Sequence, residues 1–190
     1  MGDKMGRLIW KSGTMLYPVP AVMVSCGDME KSNIITVAWT GILNTDPAMT
    51  YVSIRKERYS HEIISNTKEF VINLVPRSLV RALDYSGVRS GRNEDKFEKL
   101  GLTKEKGQNV NAPLIKESPV CLECKVEKVL ELGTHDMFIA KIISVDVDDK
   151  YLNEDGKFDM RKCDLVAYSH GQYYALGDEL GKFGFSVEKK

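Results

Sequence analysis

The sequence predicts a strand-dominated domain, a barrel or sandwich with a few short helices attached. Three observations lead there. The first half carries short β-branched and aromatic runs separated by Gly, Pro, Asn and Asp. Beyond Pro113 the pattern becomes two long alternating runs, near residues 119–131 and 136–147. Long helices do not alternate with the strands, which removes a parallel, doubly wound sheet. No repeat, low-complexity tract or linker divides the 190 residues, so 1–190 is read as one domain.

Taken in order, Tyr17-Pro-Val-Pro20 cannot be helical, and the apolar run Ala21–Cys26 after it reads as a strand. Gly27–Ser32 is a polar turn. Ile34–Trp39 and Thr50–Ile54 are strands, and Gly41–Pro47 between them reads as a connection because it holds Gly, Asn, Asp and Pro. Phe70–Val75 is a further strand. A helix is expected from Ser60 as N-cap, with Glu62 in its first turn. Ser78–Leu83 spaces its apolar residues helically. Asn93 and Gly101 bracket a third helix as N-cap and C′ residue. Gly133 turns one long strand into the next, and Asp148–Asp164 is a polar insert with turn chemistry at Asn153–Gly156.

Composition excludes several classes. Lys and Arg number 27 against 27 Asp and Glu, so no basic footprint for nucleic acid or an anionic membrane exists. No apolar run approaches the roughly 20 residues of a membrane span. The charged start lacks an apolar signal core, and Gly2 is not followed by the Ser or Thr that myristoylation wants, since Gly6 stands there. The expectation is a cytoplasmic protein. Four cysteines fit a reducing compartment. Cys121 and Cys124 spell C-x-x-C, but on a strand they point to opposite faces about 10 Å apart, so one metal cannot hold both. No metal site, triad, phosphate loop or dinucleotide fingerprint is expected.

Chemistry concentrates in three stretches. Ser53-Ile-Arg-Lys-Glu-Arg-Tyr-Ser60 places Arg55, Lys56 and Arg58 with the hydroxyls of Ser53, Tyr59 and Ser60 at the approach to a helix N-terminus. That pattern suits an anion, since guanidinium forks pair two oxygens and the helix end is electropositive. A solvated basic turn with Glu57 as partner is the competing reading. Asn33–Thr40 offers strand backbone groups plus the polar tips of Asn33, Thr36 and Thr40 to the edge of a flat, amide-rich ring, with Trp39 against its face. A core tryptophan is the competing reading there. In Gly87–Phe97, the glycines at 87 and 91 permit close backbone approach, and Lys96 could balance a negative charge. His61, His135 and His170 have no ligand spacing.

In this order and spacing, the stretches resemble the flavin reductase–like family with the FMN-binding split barrel, most closely its flavoredoxin branch. The resemblance runs from Leu16–Cys26 through Asn33–Gly41, Asp46-Pro47, Ser53–Ser60, Glu69–Leu74, Ser90-Gly91, Asp95–Phe97, Gly101–Thr103 and Leu122–Cys124 to Tyr173–Gly177 and Leu180–Phe185. It implies a Greek-key split β-barrel, non-covalent FMN and a homodimer with the flavin near the subunit interface. Ser53, Ile54, Arg55, Arg58, Tyr59 and Ser60 would receive the phosphate. Asn33, Thr36, Val37, Ala38, Trp39 and Thr40 would lie along the isoalloxazine, and Ser90, Lys96 and Phe97 would approach from the next segment. Electrons would pass from NAD(P)H or a redox-protein partner, through the flavin, to an acceptor. The alternative is a non-catalytic flavin- or haem-binding module. Two departures stand out. Tyr85-Ser-Gly87 replaces a frequent Cys-x-Gly, which excludes a thiol role there. Gly133-Thr-His-Asp136 stands where some reductases have Gly-Asp-His, so no catalytic role is expected of His135.

Overall fold

A computed structural model describes residues 6–187; Gly2, considered above for lipidation, lies outside them. In chain order the first elements are β1 (Val19–Pro20), β2 (Val22–Gly27), β3 (Ser32–Val37), β4 (Thr40–Thr45), β5 (Ala48–Arg55), α1 (Tyr59–Thr67) and β6 (Glu69–Leu74). Then come α2 (Val80–Val88), α3 (Lys96–Leu100), β7 (Lys104–Glu105), β8 (Leu114–Ile115), β9 (Val120–Glu131), β10 (His135–Val147), β11 (Val166–Ser169) and β12 (Gln172–Ala175). Among the described residues no helix is long and apolar enough to cross a membrane.

Seven strands form one sheet in the order β3-β2-β6-β9-β10-β5-β4, with every neighbouring pair antiparallel. Its two edge strands, β3 and β4, are consecutive in the chain and separated only by Ala38 and Trp39. The sheet must therefore curl until its edges nearly meet, which makes a barrel left open along one seam. The interior is filled by Val22, Val24, Ile35, Val52, Ile54, Phe70, Ile72, Phe138 and their neighbours, with Ile64 of α1 packed among them. A second cluster lies on the outer face, where Met23 and Ile34 meet Ala82, Leu83, Phe97, Ile115 and Val166. Strand β2 is buried throughout because both its faces are covered, which explains its unbroken apolar run.

Most expected elements form, with instructive differences. Gly41–Pro47 is not a plain connection: Thr40–Thr45 is β4, paired with β5, and only Asp46-Pro47 turns the chain. As an exposed edge strand, β4 has no alternating burial to betray it. Ser60 does not cap α1; it is buried inside the helix, and Arg58 occupies the cap position with no side-chain cap bond. Asn93 does not cap α3 either, because Asp95 does so, accepting from the N–H groups of Phe97 (2.8 Å) and Glu98 (3.3 Å). Gly101 ends that helix at φ 64°, as expected of a C′ glycine. The helix read at Ser78–Leu83 begins as a 3₁₀ turn, Arg77–Leu79, and continues to Val88. Cys121 and Cys124 fall in separate clusters on opposite sides of the sheet, and all four cysteines are free and buried.

The loop between β7 and β8 is tied down by Glu123, whose side chain is fully buried on β9. Its carboxylate accepts from the N–H groups of Gln108 (3.1 Å), Asn109 (2.7 Å) and Val110 (2.8 Å) and from Ser144 Oγ (2.7 Å). Gly107 comes so close that a Cβ there would sit 2.6 Å from Glu123 Oε2. Burial alone would raise this carboxyl, but the Ser144 hydroxyl and three backbone donors outweigh it and hold its pKa down to about 2. The unfolded chain therefore takes up this proton first as pH falls. The stabilisation is complete above the ordinary value of 4.5 and is lost on acidification from there toward 2. We expect Glu123→Gln to cost roughly 2–3 kcal/mol at neutral pH. Denaturant titrations should also show that the variant loses the wild-type acid dependence between pH 4.5 and 2.

Candidate functional site

The open seam of the barrel is where cavities form. The first, of about 380 Å³, runs along the outer edge of β3 from Ile35 past Ala38 and Trp39. Its opposite walls are Ser53–Arg55 at the end of β5, Asp84, Gly87 and Val88 of α2, His135 at the start of β10, and the ring trio Tyr17, Tyr168 and Tyr173. The second, of about 220 Å³, is lined by Asn33, Ile35, Glu57, Arg58, Tyr59, Ser60, Ser86, Arg89, Ser90, Gly91 and Lys96, three cations against one carboxylate. Ile35 and Arg58 belong to both walls, so the two spaces adjoin. Joined, they fall within the range of small-molecule pockets, roughly 300–1,000 Å³.

The smaller cavity is cationic and polar. Arg58 is the residue from which α1 springs, and the helix end carries no side-chain cap, leaving its first N–H groups and the positive dipole end toward this space. Arg89 follows α2. Lys96 is 3 % exposed, and its Nζ donates to Ile34 O (2.7 Å) and Ser86 O (2.8 Å), which leaves a third N–H to give. Burial first, and then the Arg58 charge, lower the Lys96 pKa to about 8. Asn33 Nδ2 donates to Ser60 Oγ (2.8 Å), which frees the Ser60 proton for another acceptor. Asn33 Oδ1 and Ser86 Oγ are buried without a hydrogen-bond partner. Orphaned polar atoms in a cationic pocket are what an anionic ligand with hydroxyl donors would satisfy.

The larger cavity is flatter and more apolar. Trp39 is 37 % exposed, so it is a wall of the cleft and not a core residue, and its ring lies 4.7 Å from that of His135. Burial, followed by the Arg55 charge, lowers the His135 pKa, which favours the neutral imidazole. Arg55 pairs with Glu57 at 3.6 Å and is largely exposed. Behind the wall, His61 Nε2 and Asp136 Oδ2 stand 2.8 Å apart and tie α1 to β10.

Of the residues singled out in the sequence, Thr36, Val37, Ala38, Trp39, Ser53, Ile54 and Arg55 gather on the larger cavity. Asn33, Tyr59, Ser60, Ser90 and Lys96 gather on the smaller one, and Arg58 on both. Two stand elsewhere. Phe97 belongs to the outer core cluster, with the Lys104 amine 5.2 Å from its ring centroid. The Thr40 hydroxyl donates to Tyr51 O (2.5 Å), and Thr40 lines a separate apolar chamber. Glycines 87 and 91 do permit close approach, but to β3: a Cβ at 87 would lie 3.1 Å from Thr36 Cβ, and one at 91 would lie 2.0 Å from Asn33 Oδ1. Sequence reasoning did not single out Arg89, Ser86, Asp84 or the tyrosines, and it expected no catalytic role of His135, which lines the larger cavity. Arg89 was legible as a cation between two glycines. The tyrosine wall carries no local signal, because β1, β11 and β12 assemble it from both ends of the chain.

Residues 14–177 match the model of the flavin reductase like domain, and the chain belongs to that family. Within it the likeness to flavoredoxins is close. The solved flavoredoxin of Desulfovibrio vulgaris (Miyazaki F) is 38% identical with a TM-score of 0.85, each chain covered over 100% of its length. That of Methanosarcina acetivorans is 29% identical with a TM-score of 0.87, over 96% of this chain and 100% of that one. An uncharacterized protein of Archaeoglobus fulgidus is 34% identical over 159 residues, 84% of this chain and 88% of its own.

Because unfolding returns Lys96 to its ordinary value of 10.5, the unfolded chain holds more protons than the folded one from about pH 8 upward. Lys96 therefore adds stability to the ligand-free protein as pH rises from 8 to 10.5. Unfolding titrations of wild type and Lys96→Met across this window should diverge in that sense; parallel curves would place the ammonium in water.

Proposed function

We propose that this chain is an FMN-binding oxidoreductase that passes electrons between a nicotinamide donor, or a redox-protein partner, and an acceptor. The observation that carries the reading is the pair of adjoining cavities, one flat and partly apolar, the other lined by three cations against the single carboxylate of Glu57, with two orphaned buried polar atoms. The phosphate would lie with Arg58, Arg89, Lys96 and the start of α1. Ser60 and Ser86 would donate their hydroxyl protons, and a ribityl hydroxyl would donate to Asn33 Oδ1. The ring system would lie along β3, Ala38 and Trp39, where the strand edge has no partner strand. Bound FMN would supply hydride and single-electron chemistry, while the protein's share is to bind, orient and set the field around it. His135, on the cleft wall with its pKa lowered by burial, would present a hydrogen-bonding imidazole to whatever stacks there.

The grip on the phosphate shifts relative to the sequence reading. Arg55 is engaged by Glu57 near the surface, whereas Arg58 reaches both cavities. Two-subunit assembly remains part of this proposal; support comes from Leu180 (93 %), Phe183 (109 %) and Ile9 (100 %), whose side chains stand fully in water in a single chain. Four buried thiols suit a reducing compartment, the cytoplasm in this reading.

Arg58→Ala should weaken FMN binding at least tenfold, equivalent to about 1.4 kcal/mol, and Arg55→Ala should weaken it less, as measured by flavin fluorescence titration. The reverse ranking would return the phosphate to the β5 end. Anaerobic addition of NADH or NADPH to the FMN-loaded protein should bleach the flavin absorbance; no bleaching with either leaves a redox protein as donor.

A further inference from the structure

One wall of the cationic pocket is the turn between α2 and α3, where Ser90 and Gly91 line the cavity. Ser90 O accepts from the Asn93 N–H (3.2 Å), closing a turn with Gly91 and Arg92 at its tip. Three ties hold this turn in place. Gly91 packs so closely on β3 that a Cβ there would collide with Asn33 Oδ1. Glu94 accepts from the Tyr85 hydroxyl of α2 (2.8 Å). Arg92 reaches α1: its Nη2 donates to Glu62 Oε2 (2.6 Å), and its guanidinium carbon lies 4.7 Å from the centre of the Tyr59 ring. Arg92 itself lines not this cavity but an adjoining space of about 460 Å³, which shares Tyr59 and Gly91 with it.

This arrangement bears on the pocket in two ways. Glu62 stands in the first turn of α1, the end from which Arg58, Tyr59 and Ser60 face the cavity. An unpaired carboxylate there repels a dianion, and the Arg92 charge offsets it. The guanidinium also backs the Tyr59 ring, so one side chain couples α1 to the turn that carries Ser90 and Gly91. Both partners of the ion pair are about half exposed, and such pairs add little to global stability.

We infer that Arg92 is a positioning residue for the flavin phosphate: it neutralises Glu62 and clamps the α2–α3 turn onto α1 without touching the ligand. The inference rests on the flavin reading. Its test compares FMN with riboflavin by fluorescence titration of wild type, Arg92→Ala and Arg92→Ala/Glu62→Gln, with Tm recorded for each. Arg92→Ala should weaken FMN about fivefold and riboflavin by less than about twofold, with Tm unchanged. Adding Glu62→Gln should recover roughly twofold or more of the FMN affinity, because the unpaired carboxylate is gone. Three results would overturn the inference: FMN affinity unchanged in Arg92→Ala, equal losses for the two flavins, or a loss that Glu62→Gln leaves in full. Failure of the flavin reading looks different, since wild type would then retain neither flavin.

Discussion

Everything functional in this chain follows from a topological constraint: the two edges of a seven-stranded sheet are consecutive strands with two residues between them. Joining opposite edges so tightly forces the sheet to curl, and the linking residues, Ala38 and Trp39, come to span the seam. An edge strand facing a seam keeps one row of backbone groups without a partner strand, which elsewhere invites aggregation. Here helices α1 and α2 and the hairpin β11–β12 stand over the seam and convert that edge into the floor of a cleft. Family membership and architecture thus describe the same object, a barrel whose open seam carries the candidate site.

Charge placement completes it. Arg58, Arg89 and Lys96 share a small space, and burial together with the Arg58 charge lowers the Lys96 pKa to about 8. A bound dianion would favour the ammonium further and could accept from Ser86 Oγ, while a hydroxyl of the same ligand could donate to Asn33 Oδ1. The structural ties run from the same elements: Lys96 donates to Ile34 on β3, Asn33 of β3 donates to Ser60, and His61 pairs with Asp136 on β10. The pocket is held by groups that also hold α1 and α3 to the barrel, which explains how short helices with little intrinsic stability can position ligand contacts.

Much of this was written locally. Strands buried on alternate or both faces, such as β2, β5 and β10, announce themselves by period and β-branching, and the cationic turn before α1 stands out by its charge. What stayed illegible has physical causes. Strand β4 is exposed and Gly- and Asn-bearing, so only its pairing with β5 makes it a strand. The two helix caps were misplaced because capping depends on where tertiary contacts start the helix: Ser60 is drawn inward by Asn33, and Asp95, not Asn93, lies at the turn. Phe97, which the resemblance places with Lys96 beside the flavin, packs into the outer core cluster, since successive helical residues face different directions. Tyr168 and Tyr173 face each other across the local β11–β12 hairpin, but Tyr17 joins them only through the long-range pairing of β1 with β11, which no window of sequence contains.

The central claim, that a cationic pocket beside the seam holds the phosphate of a flavin nucleotide, is tested most directly by comparing FMN with riboflavin. The two share the ring and the ribityl chain and differ only in the phosphate. The account predicts that wild type binds FMN at least a hundredfold more tightly, about 2.7 kcal/mol, and that Lys96→Met narrows the gap. Equal affinity for the two ligands would contradict it.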